Sequence, residues 1–362
     1  MEVYTTDHSP DFLIRGDEGY DVLIEFYQWI RRLGIDSVRY DWRWKLFEPS
    51  PSEFNRWQLS DYLKPIEVAG SCGLGLPTIV LSSVPGWAED LYRKEKDRER
   101  FFCRFERFIT EVGLSLRSHK KVVRFQVLNE LNTNAFHKMD MADIPRMCSY
   151  IRQILHPYNP EIKLMATIVA GDVISFLARP LVAKLAKPFI KTIGAIEFLD
   201  KYEKILRGSF DIIGVDYYPG MFHRPLSKKF DDLDLLKEVF EKLASWGIQY
   251  ELAETGFPTA RIWSSEEMQK LFYATFFKAL KKLLIELRDK GVQLPSRIGI
   301  YQAQDEDPLN GATILGKIIR AIHFEHNMGW RKSDRALKLV ARPDESGEST
   351  ISRLIKELRE IY

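Results

Sequence analysis

The stretch VVRFQVLNELN, residues 122–132, holds the first side chains that could do chemistry. Val122, Val123, Phe125, Val127 and Leu128 make an almost continuous β-favouring run that stops abruptly at Asn129 and Glu130. Such a run suits a parallel strand covered on both faces. Packing explains a carboxylate at the C-terminal end of that strand poorly, whereas barrel enzymes collect their catalytic groups there. A carboxyl and an amide side by side can move a proton and hold a polar substrate. In isolation such a pair is more often a pair of ordinary loop residues.

Those side chains need a strand to carry them and partners around it, and the chain supplies a repeating series. Residues 12–14 are a candidate first strand, followed by helical spacing over 20–33 and a stop at Gly34. Strand two reads as 35–40; a loop with Trp42, Trp44 and Glu48-Pro49-Ser50-Pro51 then leads to a helix over 59–69. Strand three over 76–81 precedes a helix over 98–118, and strand four precedes one over 143–155. Strands five to eight read as 163–168, 211–218, 249–254 and 297–303, with helices over 233–246, 266–287 and 351–361. Between strands five and six, 172–206 reads as two or three helical pieces broken at Pro180 and Pro188. Its basic residues leave open a surface association with membrane through 173–199, although such stretches are usually solvated faces. No Gly, Ser or Pro-rich linker divides the chain. Eight strand–helix units argue for one α/β domain over 1–362, a single (β/α)8 TIM barrel with elaborated top-face loops.

The bulk numbers exclude some partners. With 53 Lys+Arg against 51 Asp+Glu the formal net charge is +2, which offers no broad field for a polyanion, so nucleic acid is not expected. Cys72, Cys103 and Cys148 are odd in number and widely spaced, which indicates neither a disulfide framework nor a zinc cluster. No apolar run is long enough to span a bilayer and no signal-peptide core precedes residue 12, so the chain reads as soluble and cytoplasmic.

In this order of elements the chain resembles the retaining glycoside hydrolases of clan A, whose acid/base follows strand four and whose nucleophile follows strand seven. Asn129-Glu130 and Glu254-Thr255-Gly256 occupy those places, 254 − 130 = 124 residues apart. Over three units that is about 41 residues each, within the roughly 25 to 50 of a barrel unit. Ser37-Val38-Arg39-Tyr40 with Glu48-Pro49 is similar to strand two of the clan, Pro85-Gly86-Trp87-Ala88 to the loop after strand three, and Asp211-Ile212-Ile213-Gly214 with Tyr217-Tyr218 to strand six. Many members carry a His at the end of strand three or four and a Trp at the end of strand eight. This chain has Ser82-Ser83, Gln126 and Tyr301-Gln302 instead.

The resemblance implies hydrolysis of β-linked glycosides with retention, Glu130 acting as acid/base and Glu254 as nucleophile, without cofactor or metal. Such a pair needs its carboxyl groups about 5 to 5.5 Å apart. Arg39 and a tyrosine after strand six, Tyr217 in preference to Tyr218, would hold Glu254 ionised, and Asn129 would bind the sugar 2-hydroxyl. For Asn129 and Glu130 to reach one substrate the backbone must break or bulge, since neighbours in a regular strand point to opposite faces. Trp87 and Trp263 are expected to stack on sugar rings, with Tyr301, Trp42 and Trp44 as further strand-end aromatics; core or rim packing is the competing role. Glu251 is expected on the helix side as a paired structural carboxylate. Asp305, Glu306 and Asp307 form a solvated acidic loop or a ligand for hydroxyls or a cation, and His137 and His223 are polar surface. Two other readings use the same residues: a non-catalytic carbohydrate-binding barrel, and a transglycosidase.

Overall fold

Short runs rich in Val, Ile, Thr and Tyr supply the strands β1 (Glu2–Asp7), β2 (Ser37–Arg43), β3 (Thr78–Ser82), β4 (Arg124–Val127), β5 (Lys163–Val169), β6 (Ile212–Asp216), β7 (Gln249–Glu254) and β8 (Arg297–Ile300). The computed structural model describes residues 1–7, 19–117, 124–134, 137–171, 191–219, 229–257, 259, 265–301 and 337–362. The strands close one parallel barrel in sequence order, with Tyr4 opposite Ser37 on one side and Gly299 on the other. Around it, among the described residues, lie α1 (Gly19–Arg32), α2 (Trp44–Phe47), α3 (Arg56–Ser71), α4 (Gly86–Arg93), α5 (Arg98–Leu116), α6 (Ile144–Leu155), α7 (Ala195–Ser209), α8 (Asp234–Ser245), α9 (Glu266–Asp289) and α10 (Thr350–Arg359). Asn55, Ser265 and Ser349 cap the starts of α3, α9 and α10 by accepting backbone N–H bonds. The last helix is tied back across the seam: Arg359 donates to Gly34 O (2.6 Å) and Asp36 Oδ2 (2.7 Å).

Strand residues alternate between two cores. Ile79, Leu81, Phe125, Val127, Ile168, Val215 and Leu252 pack outward in the large apolar layer beneath the helices, where Trp44 stacks on Phe108 at 5.1 Å. Inside, only Met165, Ile212 and Ala253 make a small apolar cluster among the described residues. Much of the rest of the lumen is polar. At its base Arg297 donates to Thr78 Oγ1 (3.0 Å), Glu2 Oε1 (2.7 Å) and Ser37 Oγ, and lies over the Tyr4 ring at 4.2 Å. One layer up, Glu251 accepts from the Tyr4 hydroxyl (2.8 Å) and Arg124 Nη1 (2.9 Å). Barrel interiors are more often filled by branched aliphatic side chains.

Two expectations are corrected by this arrangement. The first strand is Glu2–Asp7 and not 12–14, which lie outside the described residues. Its inward side chains, Tyr4 and Thr6, serve a polar lumen and so read as a polar lead. Glu251 is paired as expected, but inside the barrel and not toward the helices, since a β7 side chain can meet β4 only through the lumen. The register between β6 and β7 shifts at Val215/Asp216, opposite Leu252 and Glu254, so three residues separate two inward carboxylates.

The lumen is filled tightly enough to demand glycine. A Cβ at Gly299 would run into the Ala253 carbonyl oxygen and come within 2.6 Å of Tyr4 Cζ. Neither the β7 backbone nor a ring clamped beneath Arg297 can give way. Gly299→Ala is therefore expected to lower unfolding free energy by about 3 kcal/mol in urea titrations; an unshifted midpoint would show that the lumen has room to spare.

Candidate active site

At the end of β4 the backbone breaks. Leu128 and Glu130 both adopt left-handed conformations, at φ 63° and 46°. For non-glycine residues this costs roughly 1–2 kcal/mol each, so neighbours must hold it. Leu128 N–H donates to Leu81 O (3.1 Å), Leu131 N–H to Thr167 O (2.8 Å) and Glu130 N–H to Thr167 Oγ1 (3.0 Å). The break expected from the sequence is thus present, and it turns both Asn129 and Glu130 to the barrel mouth. Asn129 Oδ1 accepts from Gln126 Nε2 (2.8 Å), Arg39 Nη2 (3.2 Å) and Thr167 Oγ1 (3.3 Å).

Glu254 closes β7, and its two carboxylate oxygens are addressed separately. Oε1 accepts from Arg39 Nη1 and Oε2 from the Tyr218 hydroxyl. Arg39, only 2% exposed, is fixed on its other edges by Gln126 Oε1 (2.9 Å) and Thr6 Oγ1 (3.3 Å). Burial alone would lower its pKa, but the Glu254 and Asp216 carboxyls outweigh that and raise it, so the guanidinium is a fixed cation. Burial, then the Glu254 charge, pushes the Tyr218 hydroxyl well above the usual tyrosine range, so it remains a donor.

The tyrosine on Glu254 is Tyr218 and not Tyr217. Tyr217 donates to Asp232 O, and its ring lies 6.5 Å from Phe276 on the helix side. Strand alternation gives the reason: inward positions run 212, 214, 216, so the next is 218. That parity was readable in DIIGVDYY.

The same parity identifies Asp216, which sequence reasoning missed. Glu130, Asp216 and Glu254 bring carboxyl oxygens within 4.8 Å of one another. Asp216 is fully buried, and neither of its oxygens has a hydrogen-bond partner among the described residues. Burial first, then the Glu254 and Glu130 carboxyls, push its pKa well up, and Arg39 and the Thr167 hydroxyl only partly oppose this. The spacing would also suit a divalent cation, but that ion would sit against Arg39.

Of the aromatic candidates, Trp42 and Trp44 are buried core residues. Trp87 is half-buried at the start of α4, donating to Glu48 O (3.0 Å) with its ring edge-on to Trp44 at 5.9 Å. Tyr301 lies edge-on to Tyr218 at 6.4 Å, which places it beside the carboxyl cluster. Trp263, His223, Asp305, Glu306, Asp307 and residues 172–190 lie outside the described residues. No described helix is long and apolar enough to cross a membrane.

No known protein-family profile and no curated protein sequence matches this chain. Solved structures do. A glycoside hydrolase GH5_18 from Streptomyces cattleya, in complex with Manβ1-4GlcNAc, aligns with TM-score 0.66 at 13% identity over 99% of this chain and 80% of its own. An exo-β-1,4-mannosidase from Opitutaceae bacterium strain TAV5 aligns with TM-score 0.64 at 15% identity over 99% of this chain, which spans only 59% of that protein's length. A family 39 glycoside hydrolase from Bacteroides cellulosilyticus WH2 gives 0.58 at 15% identity, over 98% of this chain and 63% of that one. The likeness is one of fold: a closed eight-stranded (β/α)8 barrel shared with solved glycoside hydrolases, as the resemblance read from the sequence implies for the architecture.

His137, expected on the surface, is buried at 4% exposure, where Nδ1 accepts the Met139 N–H (3.2 Å). Burial lowers its pKa to about 4, so it is neutral in the folded chain. The unfolded chain takes up this proton near pH 6.5, so folding stability is complete above that value and is lost as pH falls toward about 4, by up to roughly 3 kcal/mol. His137→Asn keeps an acceptor and removes the titration. Its melting temperature should therefore fall less than the wild type's between about pH 7 and 4.5; parallel losses would mean that His137 is not the buried neutral group described.

Proposed function

We propose that this chain hydrolyses β-linked glycosides with retention, Glu130 serving as acid/base and Glu254 as nucleophile. The observation that carries the reading is the pair of carboxyls at the ends of β4 and β7, within 4.8 Å, one of them bound to a buried guanidinium. An inverting pair would need about 6.5–9.5 Å to admit water.

The surroundings support the division of roles. Arg39 and Tyr218 both donate to Glu254, which holds its carboxyl aimed as a nucleophile must be. Glu130 stands on the left-handed turn after β4, across from Glu254, which suits the group that passes a proton to the leaving oxygen. Glu254 would attack the anomeric carbon while Glu130 protonates the leaving oxygen, giving a glycosyl ester. Glu130, now a carboxylate, would take a proton from the water that breaks the ester and frees Glu254. Three donors on Asn129 Oδ1 leave its NH2 to meet the sugar 2-hydroxyl. Because one fold neighbour is named an exo-β-1,4-mannosidase and another is bound to Manβ1-4GlcNAc, aryl β-mannosides head the substrates to try.

A 2-fluoro glycoside of the correct sugar should label Glu254 covalently, because fluorine slows both steps and an activated leaving group rescues only the first. Glu130→Ala with azide should yield a β-glycosyl azide; an α product would mean that the roles are exchanged. Arg39→Met is expected to cost about 100-fold or more in kcat. Tyr218→Phe should also lower kcat, while Tyr217→Phe changes it little. Sugar binding without turnover across a broad panel would favour the non-catalytic barrel.

A further inference from the structure

Asp216 is not needed to account for double displacement, yet it lies between the two glutamates. Its inward place follows from β6 parity, and the charged or titratable groups facing it are Glu130 after β4, Glu254 from β7, Arg39 from β2 and Tyr218 beyond β6 itself. From β5 comes the Thr167 hydroxyl, whose single proton is shared between Asn129 Oδ1 (3.3 Å) and the Asp216 side and so answers the Asp216 carboxyl only in part. Arg39 is committed elsewhere: its hydrogen bonds go to Glu254, Gln126, Thr6 and Asn129, and none to Asp216. A fully buried carboxylate with neither oxygen hydrogen-bonded would be the costliest state this side chain could adopt. As a carboxylic acid the group carries no charge, and its O–H can turn toward either glutamate, each within 4.8 Å.

We propose that Asp216 is a neutral carboxylic acid throughout the working pH range, a positioning residue whose O–H serves whichever of Glu130 and Glu254 bears the negative charge. This rests on the proposed glycosidase reading for its kinetic consequence, but not for the protonation state. During double displacement the charge moves. Glu254 is the anion before attack and becomes a neutral ester, while Glu130 gives up its proton and becomes the anion; hydrolysis reverses both. A fixed ionised third carboxylate would repel each anion in turn. A neutral acid between them donates to one and then the other, and its own proton is never transferred.

Two measurements do not require turnover. Glu130→Gln removes the other expected protonated carboxyl, so infrared spectra of that variant at neutral pH should retain a carboxylic-acid carbonyl band. The band should vanish in the double variant with Asp216→Asn. For the second measurement, a folded-state pKa raised above the unfolded value means that stability is complete below about pH 4 and is lost as pH rises. Asp216→Asn escapes this loss, so its melting temperature should exceed the wild type's by an amount that grows from about pH 4 to 7, reaching about 2 °C or more. On an active substrate, Asp216→Asn exchanges one neutral donor for another and should move the basic limb of the pH profile by less than roughly one unit. Asp216→Ala, which removes the donor, should lower kcat about tenfold.

Absence of the band in Glu130→Gln, or a variant that loses stability as pH rises, would show an ionised Asp216 and overturn the proposal. So would Mn2+ binding, followed by calorimetry, that disappears in Asp216→Asn, since three ligating carboxylates cannot include an acid. If no glycoside is turned over but the band and the melting trend are as expected, the protonation state stands and the catalytic reading alone has failed.

Discussion

A guanidinium buried in the neck of a barrel must be answered where it lies, and Arg39 sets the terms for this site. Removing such a cation from water costs several kcal/mol unless every edge finds an acceptor. Here the acceptors are Glu254, Gln126 Oε1, Thr6 Oγ1 and Asn129 Oδ1, drawn from three different strands or their ends. Gln126 connects the two halves of the site. Its oxygen takes the Arg39 Nε bond, while its amide nitrogen reaches Leu128 O (3.0 Å), Asn129 Oδ1 (2.8 Å) and Thr167 Oγ1 (2.9 Å). The residue that steadies the cation on the Glu254 side also steadies the left-handed turn that presents Glu130.

The same solution recurs lower in the lumen, with Arg124 on Glu251 and Arg297 on Glu2. A barrel filled in this way gains specificity of register more than raw stability. A polar group displaced by one residue loses its partner and is left buried, whereas an aliphatic layer could repack. Register in turn fixes which strand-end residues face the mouth, so the ion pairs below the site help to define the site above them.

This explains what was legible in the sequence. Apolar runs and helical spacing located strands two to eight and most of the described helices to within a few residues, because the layer between sheet and helices is apolar and periodic. Glu130 and the need for a break between Asn129 and Glu130 followed from strand-end position and alternation, whereas Glu254 came from the family resemblance. What escaped was inward and polar: β1 with Tyr4 and Thr6, Glu251 inside the lumen, and Asp216. Tyr217 was preferred to Tyr218 because parity along β6 was not carried past its end. Glu251 was misplaced because parity was counted back from Glu254 across the irregularity in β7. A cue was present in β4 itself, where Arg124 and Gln126 alternate with Phe125 and Val127 and mark the inward face as polar.

Fold likeness at 13–15% identity is intelligible on the same grounds. The outer layer asks only that apolar residues recur with the right period, a demand that many sequences meet. The top of the lumen is far less permissive, since a guanidinium, a glutamine, a threonine and the Glu254 carboxylate must close one hydrogen-bond network around a strained turn, with two further carboxyls packed beside it. Charge weighs on the same place: three buried carboxyls share one fixed cation, and burial with the two glutamates pushes Asp216 well up. The donors are shared unequally, since Arg39 and Tyr218 both address Glu254 and neither addresses Asp216, so the two strand-end side chains that meet Glu254 fix how its carboxyl faces the mouth.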